Sequence, residues 1–402
     1  MGYDFVIIGA GIIGLTIARE LRGRHPNASI AVLEKEPDIG KHASGRNSGV
    51  MHSGVYYGST TLKAKMCSVG AERMRWFAEE HAIQFSRKGK VIIATSEQEL
   101  LTLDKLLANA KANNVRAERL GSVEVNKIEP HASPYKAGIY CPDTGVIDSK
   151  AVINKIRQLL EQSKVKFIYK VVITDLSVRG KKIRTSQGDF SFGFLYNCAG
   201  AGADLVAKMF GRAQDYTLIP FKGIYYKLRP EKNHFVRGNI YPVPDVDLPF
   251  LGVHLTRVIN GDVYVGPTAI PALGRENYGI LKGIKLSEGL VIGRQLMSMY
   301  KSNNGNFRAL VHAEMKKYYK PHFVRAAKKL VNGLETADFL SSDKVGIRPQ
   351  LINIKTRSLE MDYIVERGED SLHVLNSISP AFTSSFAFSE WLVDQAERGV
   401  TN

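Results

Sequence analysis

The feature that most constrains this chain is a glycine pattern near its start, Gly9-x-Gly11-x-x-Gly14. Residues 4–8 (DFVII) before it predict a buried strand, and Ile12–Arg24 after it predicts a helix. The first glycine suits a tight turn, the second lets the backbone approach a pyrophosphate, and the third lets the helix pack close to the strand. The helix N-terminus offers N–H groups and a positive dipole to phosphates. The pattern therefore predicts a dinucleotide site.

An acidic residue completes this unit. Residues 30–34 (IAVLE) predict a second buried strand, which ends in Glu34, 20 residues after Gly14. An acid at this spacing typically binds a ribose hydroxyl, and its carboxylate disfavours the 2′-phosphate of NADP. The alternative is a glycine-rich turn of the core without a ligand. Strand, helix, second strand and acid occur together here, which favours dinucleotide binding.

A second glycine turn occurs at residues 196–204 (YNCAGAGAD), after a predicted buried strand at 194–197. Placed beside the first turn, it would help to hold one long cofactor such as FAD. Ordinary packing of a strand against a helix accounts for its spacing equally well.

Length and composition limit the fold and the compartment. A chain of 402 residues exceeds a usual single domain, so we expect two domains or one large insertion. Cys67, Cys141 and Cys198 are too scattered for a disulfide framework or a metal site, which favours a reducing compartment. No apolar run reaches the ~18 residues of a membrane-spanning helix.

The net charge of +16 indicates an anionic partner, which could be a substrate, a membrane surface or a nucleic acid. We expect no nucleic-acid partner, because no aromatic-basic RNA motif or zinc finger accompanies the charge. Residues 301–330 hold eight basic residues against one acid, Glu314, with Phe323, Val324 and Leu330 among them. This segment could dock on anionic lipid as a helix, and a solvated helical face is the alternative.

Several segments resemble the D-amino-acid-oxidase-like flavoproteins, and a closer resemblance is to the L-2-hydroxyglutarate oxidase/dehydrogenase family. The first likeness is carried by GAGIIG (9–14), VLEKE (32–36), SGRNSGVMHSGVYY (44–57) and NCAGAGAD (197–204). The closer one is carried by residues 44–57 and by LKAKMCSVG (62–70), TGVIDSKAV (144–152), LGVHLTR (251–257), VGPTAIPAL (265–273), VGIRPQL (345–351) and NSISPAFTSS (376–385).

The resemblance implies an α/β fold with two domains. A discontinuous Rossmann-like FAD-binding domain would comprise residues 1–85, 145–212 and 336–402. A sheet-rich α+β substrate domain would comprise residues 86–144 and 213–335 and cover the flavin ring.

It also implies oxidation of L-2-hydroxyglutarate to 2-oxoglutarate by hydride transfer to FAD. Electrons would pass to a quinone or another acceptor. Amine or amino-acid oxidation of the glycine or D-amino-acid oxidase type is the alternative. We expect a cytoplasmic location, with peripheral attachment at the inner face of a membrane as an option. The superfamily attaches flavin covalently at a cysteine near the C-terminus. No cysteine follows Cys198 in this sequence, so we expect non-covalent FAD.

The resemblance extends the predicted cofactor site beyond the first glycine turn. Thr383 and Ser384 enter a helix predicted at 385–398, whose N-terminus would stabilise the anion of reduced flavin; plain N-capping explains these residues too. The predicted cofactor-binding residues are Gly9, Gly11, Gly14, Glu34, Lys35, Ser44, Arg46, Asn47, Ser48, Val172, Ala199, Gly200, Arg348, Ala381, Phe382, Thr383 and Ser384.

The implied chemistry needs a base and a carboxylate clamp. His52 and His254 are candidate bases, because a base should titrate near working pH, although a lone histidine is more often structural. Arg46, Arg257 and Arg348 are candidate clamps, with surface ion pairs as the alternative, and the resemblance favours Arg348. Tyr56, Tyr225, Tyr241 and Thr383 could donate hydrogen bonds to the substrate or could simply pack.

The sequence departs from the family pattern in two places. Bulky Phe382 and Phe386 stand where smaller residues are expected, and Lys222 stands where the superfamily often has arginine. We expect these differences to change the shape of the pocket and the identity of its clamp.

Overall fold

The predicted βαβ unit opens the chain. The computed structural model describes residues 1–245 and 250–398. Its strands are β1 (Gly2–Ile8), β2 (Ile30–Leu33), β3 (Val50–Met51), β4 (Phe85–Ser86), β5 (Lys90–Ile93), β6 (Glu118–Gly121), β7 (Ala137–Cys141), β8 (Gly145–Ile147), β9 (Lys166–Ile168), β10 (Ile173–Ser177), β11 (Lys182–Thr185), β12 (Gly188–Asn197), β13 (Tyr216–Leu228), β14 (Asn239–Pro242), β15 (His254–Arg257), β16 (Val263–Gly266), β17 (Ile270–Pro271), β18 (Phe339–Asn353), β19 (Ser358–Leu359), β20 (Ile364–Arg367) and β21 (Ser371–Asn376).

The α-helices are α1 (Ile12–Arg24), α2 (Ala43–Arg46), α3 (Leu62–Glu80), α4 (Glu99–Ala112), α5 (Ser122–Ile128), α6 (Ser149–Gln162), α7 (Ala203–Met209), α8 (Leu286–Ser302), α9 (Phe307–Met315), α10 (Lys320–Lys328) and α11 (Ala381–Glu397). Short 3₁₀ turns lie at Gly200–Gly202, Pro230–Phe235, Asn304–Asn306, Lys316–Tyr318 and Thr336–Asp338.

The first sheet is built around the N-terminal strand. Within the described residues it has eight strands in the order β10-β11-β12-β1-β2-β9, with β21 beside β12 and β20 beside β21. β12, β1, β2 and β9 run parallel. α1 packs against α6 and α11, and α11 packs against α3. The buried side chains of Ile7, Leu15, Val32 and Phe388 lie in the core that these helices cover.

The second sheet is the larger of the two main sheets. Over residues 1–245 and 250–398 it has ten strands, in the order β19-β18-β13-β16-β15-β14-β5-β7-β6 with β17 beside β13. Its longest pairing is antiparallel, between β13 and β18, and sets Phe221 opposite Arg348. β3, β8 and β4 form a small third sheet.

The two large sheets alternate along the chain, as the predicted discontinuous domains require. The last passage from the second sheet to the first falls between Leu359 and Ile364, whereas the predicted domain boundary is at residue 336. The division at 85, 144, 212 and 335 stays a prediction, and residues 399–402 of its last segment lie outside the described residues.

Three local predictions differ from the structure. The sequence pattern predicts one helix over residues 312–332, but this helix is interrupted, because Pro321 lacks an N–H and fits only the first turn of α10. The C-terminal helix begins at Ala381 rather than 385. The apolar spacing of residues 62–81 predicts a helix with Val69 on its core side, but Val69 in α3 is 42% exposed; Cys67 and Gly70 are buried instead.

The basic segment 301–330 turns its apolar side chains inward. Phe323, Val324 and Leu330 are buried in the core of the second sheet, so they do not offer the lipid-facing surface that the sequence suggested. This segment fits the alternative interpretation better, which is a helix with a face exposed to solvent. No helix among the described residues is long and apolar enough to cross a bilayer.

Candidate active site

A cleft of about 820 Å³ opens at the carboxyl ends of the central strands of the first sheet. Its lining includes Ile8 at the end of β1, Leu33 at the end of β2 and Cys198 after β12. Later strands of the chain lie on both sides of β1, with β2 on one side and β12 on the other. Such topological switch points are where open α/β sheets bind ligands. The same cleft continues to the second sheet, where β13, β15 and β18 contribute to its wall.

The two glycine turns lie against each other. Gly9 has φ +101°, and a side chain there would collide with the carbonyl oxygen of Cys198. Gly14 faces away from the cleft and lets α1 pack on the carbonyl oxygen of Gly9, the role that the sequence assigned to it. The second turn therefore lies beside the first, and Ala199 and Gly200 line the same cleft.

The N-terminus of α1 is open towards the cleft. Its N-cap is Gly11, which makes no side-chain capping hydrogen bond, and only the Ser44 hydroxyl lies near a side chain built at that position. Ser44 Oγ accepts a hydrogen bond of 2.9 Å from Ile12 N. The first turn of α1 still directs its dipole at the cleft, as binding of a pyrophosphate requires.

Glu34 is buried and held at the end of β2. Its Oε2 accepts from Ala10 N at 2.7 Å, and its Oε1 accepts from Glu36 N at 2.9 Å. Glu34 and Lys35 both line the cleft, as predicted, and Lys35 also forms an ion pair with Glu276. The carboxylate is thus fixed where a ribose hydroxyl could reach it.

Sequence reasoning missed a wall formed by residues 275–288. Arg275 donates to both carboxylate oxygens of the buried Asp204, one of them at 2.8 Å, and so ties this segment to the second glycine turn. The Tyr278 ring lies under the Arg46 guanidinium at 4.2 Å. Asp204 ends the second glycine motif at residues 196–204, but no spacing signal in the sequence links it to Arg275, which lies 71 residues later.

Residues 44–48 and Val172 carry further predicted cofactor contacts. Ser44, Arg46, Asn47, Ser48 and Val172 line the cleft. Arg46 also donates from Nε to Lys41 O at 2.8 Å, so it serves the loop as well.

The N-terminus of α11 points to the middle of the cleft. Ala381, Phe382 and Thr383 line it, whereas Ser384 lies behind them and accepts from the Tyr363 hydroxyl at 3.2 Å. Phe386, the second bulky departure, is buried against Phe77, so only Phe382 changes the cleft.

The structure brings most predicted substrate residues into the same cleft. His52, His254, Arg348 and the hydroxyl-bearing residues Tyr225, Tyr241 and Thr383 line it. They come from segments far apart in sequence, which the two sheets place together. This wall therefore combines two imidazoles, a guanidinium and several hydroxyl donors.

His254 is held in one tautomer. Its Nδ1 lies 2.8 Å from the carbonyl oxygen of Gly252, so Nδ1 carries the proton and Nε2 keeps its lone pair. The ring stacks on Tyr241, with centroids 3.8 Å apart. Burial, and then the charges of Arg348 and Lys90, lower the pKa of His254 to about 3. The imidazole is therefore neutral and can accept a proton.

His52 is also neutral. Its backbone N–H donates to Thr383 Oγ1 at 3.2 Å, and its Nδ1 is buried without a hydrogen-bond partner among the described residues. Burial is the largest cause that lowers the pKa of His52 to about 3, with smaller contributions from Lys90, His254 and Arg348. An unsatisfied ring nitrogen in a cleft is costly unless a ligand satisfies it.

Arg348 supplies positive charge to this wall. Its guanidinium lies over the Phe250 ring at 5.1 Å, and burial lowers its pKa. Burial also raises the pKa of Tyr225 to about 12 and raises the pKa of Tyr241, so both hydroxyls remain donors.

Three other candidates do not reach the cleft. Arg257 lies three residues after His254 in β15, and side chains alternate along a strand, so it faces the opposite side and donates to Val236 O at 3.3 Å. Tyr56 lies behind the wall. Lys222 donates to Gly279 O at 2.6 Å, while Phe221 and Gly223 line the cleft on either side of it. These positions give Arg257 and Tyr56 no support as substrate contacts.

The described residues fit FAD. The cleft is long enough to join a dinucleotide turn to a wall of proton-accepting groups. A side chain at Gly9 would collide with the second glycine turn, whereas a side chain at Gly200 would meet nothing within 4 Å. The N-terminus of α1 suits the pyrophosphate, Glu34 the ribose and α11 the flavin ring.

A comparison with protein families supports this fit. The sequence model of the family described as "FAD dependent oxidoreductase" matches residues 4–395.

Solved structures confirm the predicted α/β fold class. L-α-glycerophosphate oxidase from Mycoplasma pneumoniae with FAD bound superposes with a TM-score of 0.78 at 21% identity, covering 99% of this chain and 95% of that one. Glycine oxidase from Geobacillus kaustophilus superposes with a TM-score of 0.72 at 16% identity, with the same coverage of both chains. At these identities the likeness concerns the fold alone.

Curated relatives are more similar in sequence. L-2-hydroxyglutarate dehydrogenase of Indibacter alkaliphilus is 35% identical, over 97% of this chain and 99% of that protein. The enzyme of the same name from Escherichia coli K12 is 33% identical over 98% and 93%, and the mitochondrial human one is 33% identical over 98% and 89%. The chain therefore belongs to the FAD-dependent oxidoreductases and, among them, to the L-2-hydroxyglutarate dehydrogenase family.

Proposed function

We propose that this protein oxidises L-2-hydroxyglutarate to 2-oxoglutarate with non-covalently bound FAD. The observation that carries the proposal is the continuous cleft. It joins the glycine turns at one end to His52, His254 and Arg348 at the other. Relatives that share a third of its residues over nearly their whole length bear the name of this activity.

Oxidation of a 2-hydroxy acid removes a hydride from Cα and a proton from the hydroxyl. Bound FAD supplies the hydride acceptor. The proton goes to an imidazole, and two are available in the neutral form that a base requires. His254 offers Nε2 in a fixed tautomer, and His52 offers a ring nitrogen without a partner.

The dicarboxylate substrate brings two negative charges to a wall that carries a net positive charge. Arg348 can bind one carboxylate through two parallel hydrogen bonds, and the Tyr225 and Tyr241 hydroxyls can donate to the other or to the developing ketone. Once bound, the two carboxylates raise the proton affinity of the nearby imidazoles, so the base strengthens as the substrate arrives.

The N-terminus of α11 supports the charge that oxidation leaves on the cofactor. Ala381, Phe382 and Thr383 form the first turn of this 17-residue helix and line the cleft. Its positive dipole end would favour negative charge on the reduced ring, which is the role expected from the sequence.

The test is product formation by the purified yellow protein with an artificial electron acceptor. We expect 2-oxoglutarate to form from L-2-hydroxyglutarate, and much less from the D-enantiomer. Glycine and D-alanine serve as the comparison substrates. Turnover of these amino acids, with none of L-2-hydroxyglutarate, would favour the amine-oxidase alternative and contradict the proposal.

We further propose that electrons leave to a quinone at a membrane surface, where residues 280–301 dock. Ile280, Leu281, Leu286 and Leu290 are 87%, 77%, 79% and 67% exposed, and Met297 follows on the same face of α8. Exposed basic residues Lys282, Lys285, Arg294 and Lys301 flank this patch. Apolar side chains among lysines are typical of helices that lie on anionic lipid.

Sedimentation with vesicles tests this docking surface. Vesicles rich in phosphatidylserine should bind the protein more strongly than neutral vesicles. The double variant Leu286→Ser/Leu290→Ser should weaken binding at least about tenfold, because it removes exposed apolar contacts. Leu101→Ser is the matched control, since Leu101 is 72% exposed on α4. Equal binding by both variants would contradict the assignment of this surface.

A further inference from the structure

The cleft wall that sequence reasoning missed contains a compact loop with no role in the reaction as described so far. The ends of this loop, residues 274–283, meet, because a side chain at Gly274 would come within 2.4 Å of Gly283 O. Between them the buried Asn277 donates from Nδ2 to three carbonyl oxygens of the loop, at 2.9–3.2 Å. Loops with touching ends that are packed by their own side chains are frequently functional. Residues 274–283, the bridging loop, form one such unit.

One side of the bridging loop contacts the segment that follows β2. The Tyr278 hydroxyl lies 2.6 Å from His42 Nδ1, and the Arg46 guanidinium lies over the Tyr278 ring at 4.2 Å. The other ring nitrogen of His42 lies 2.9 Å from a carboxylate oxygen of Glu36. Since a carboxylate only accepts, this nitrogen donates, and Nδ1 accepts from the tyrosine. One tyrosine thus joins the loop to two residues that line the cofactor side of the cleft.

The other side of the loop contacts the second glycine turn and the second sheet. Arg275 forms an ion pair with the buried Asp204, the last residue of that turn. Lys222 in β13 donates from Nζ to Gly279 O at 2.6 Å. This bond needs only an N–H donor, so it forms whether or not the lysine is charged. It gives a role to the lysine that stands where arginine was expected.

These contacts lie on both sides of the first glycine turn. In the first sheet, β1 lies between β2 and β12. Glu276 pairs with Lys35 near the end of β2, whereas Asp204 follows β12. A loop held at both places crosses the carboxyl end of β1, and Tyr278 lines the same cleft as the glycine turn there. A dinucleotide in the cleft therefore lies between that turn and the bridging loop.

The bridging loop can move as one body. Ile280 and Leu281 at its tip are 87% and 77% exposed, so little buried apolar surface holds it in place. Segments of this kind open at a low cost in free energy. Glycines stand at both ends, and Gly283 has φ +88°; small residues often serve as hinges. The hydrogen bonds of Asn277 lie inside the loop and persist when it swings.

We propose that the bridging loop is a clasp over FAD, which opens for the cofactor to enter or leave. Tyr278 is its main fastening, because one ring makes both contacts with the cofactor side. The proposal requires FAD, the cofactor of this family, but no particular substrate. A clasp that must open slows both the binding and the release of FAD, whereas a side chain that merely touches FAD slows release alone.

The test measures both rates of FAD exchange in Tyr278→Ala. Flavin fluorescence follows binding when apoprotein is mixed with FAD, and release when the FAD-loaded protein is diluted. We expect both rates to rise about tenfold, because the closed loop loses a hydrogen bond and a cation–π contact. Tyr278→Phe keeps the ring under Arg46 and should raise both rates about threefold. Tyr319→Ala is the matched control, since Tyr319 is 64% exposed outside the loop, and it should leave both rates unchanged.

Hydrogen exchange reports the opening itself. The backbone amides of residues 276–282 should exchange faster in Tyr278→Ala than in the wild type, and at the wild-type rate in Tyr319→Ala. Because an open loop exposes these amides, equal exchange in all three proteins would contradict the clasp.

Two results of the rate measurement would overturn the proposal. One is wild-type binding and release in a folded Tyr278→Ala protein. The other is faster release with unchanged binding, which would identify a direct contact with FAD instead of a clasp. Tyr278→Phe and Asn277→Ala carry the same test if Tyr278→Ala does not fold. Neither rate involves L-2-hydroxyglutarate, so failure of the clasp and failure of the proposed function are distinguishable.

Discussion

At the scale of single residues, the site depends on titratable groups held out of water. His52, His254 and His373 are all buried, and burial is the main cause that lowers the pKa of each. The sequence identified the first two by loop and strand context. It did not indicate that Lys90 is enclosed, because a lysine beside a glycine normally indicates exposure to solvent, yet Lys90 is 1% exposed.

The two candidate bases can be separated by substitution. His254→Asn keeps a donor near Nδ1 for Gly252 O but removes the Nε2 acceptor, and His52→Asn removes the other imidazole. We expect the variant that lacks the base to reduce its flavin on the order of 10²–10⁴-fold more slowly, measured by stopped flow. The other variant should change the rate far less. Near wild-type reduction in both would assign the proton to another acceptor.

The same histidines predict how stability depends on pH. The pKa of His373 is lowered to about 4 and those of His52 and His254 to about 3, below the ordinary value of about 6.5. The unfolded chain therefore binds more protons between these values, so the free energy of unfolding should fall as the pH drops from about 6.5 towards 3.

Chemical denaturation across that pH range measures the effect. His373→Gln should reduce the slope, whereas His322→Gln should not, because His322 is exposed. Equal slopes in the wild type and His373→Gln would contradict the attribution to that buried ring.

At the scale of elements, the packing of α3 against α11 fixes the position of the first turn of α11. This turn faces the cofactor site. A side chain at Gly70 in α3 would come within 2.6 Å of Ser384 Cα and 2.7 Å of Thr383 O. The sequence predicted both helices, but it placed the start of α11 four residues too late. Cap signals are weak there, since Pro380 precedes the helix without a side-chain cap.

Gly70→Ala should push the two helices apart. We expect a loss of about 1–3 kcal/mol in stability, with weaker FAD binding, because backbone atoms cannot yield as a flexible side chain would. Gly23→Ala is the control. Gly23 lies in α1 with nothing within 4 Å of the added atom, so alanine there should stabilise by about 0.5–1 kcal/mol. Thermal unfolding and FAD titration measure both, and an unaffected Gly70→Ala would contradict the tight packing.

At the scale of the whole molecule, the cleft exists because two sheets alternate along one chain. The N-terminal unit was predictable, since its glycines, helix and acid lie within 34 residues. The order of the second sheet was not, because β13 pairs with β18 more than a hundred residues later and no local signal encodes that partner. The same limit explains Arg257, a candidate clamp that strand alternation turns away from the cleft, and Arg275, whose partner Asp204 is distant.

The central claim is that one cleft holds FAD against a wall that accepts the hydroxyl proton of L-2-hydroxyglutarate. Anaerobic mixing of the purified protein with this acid, followed by the flavin absorbance near 450 nm, tests it most directly. The account predicts a yellow protein whose flavin bleaches with the L-acid and is released by denaturation. A protein that carries flavin but keeps its colour with L-2-hydroxyglutarate would contradict it.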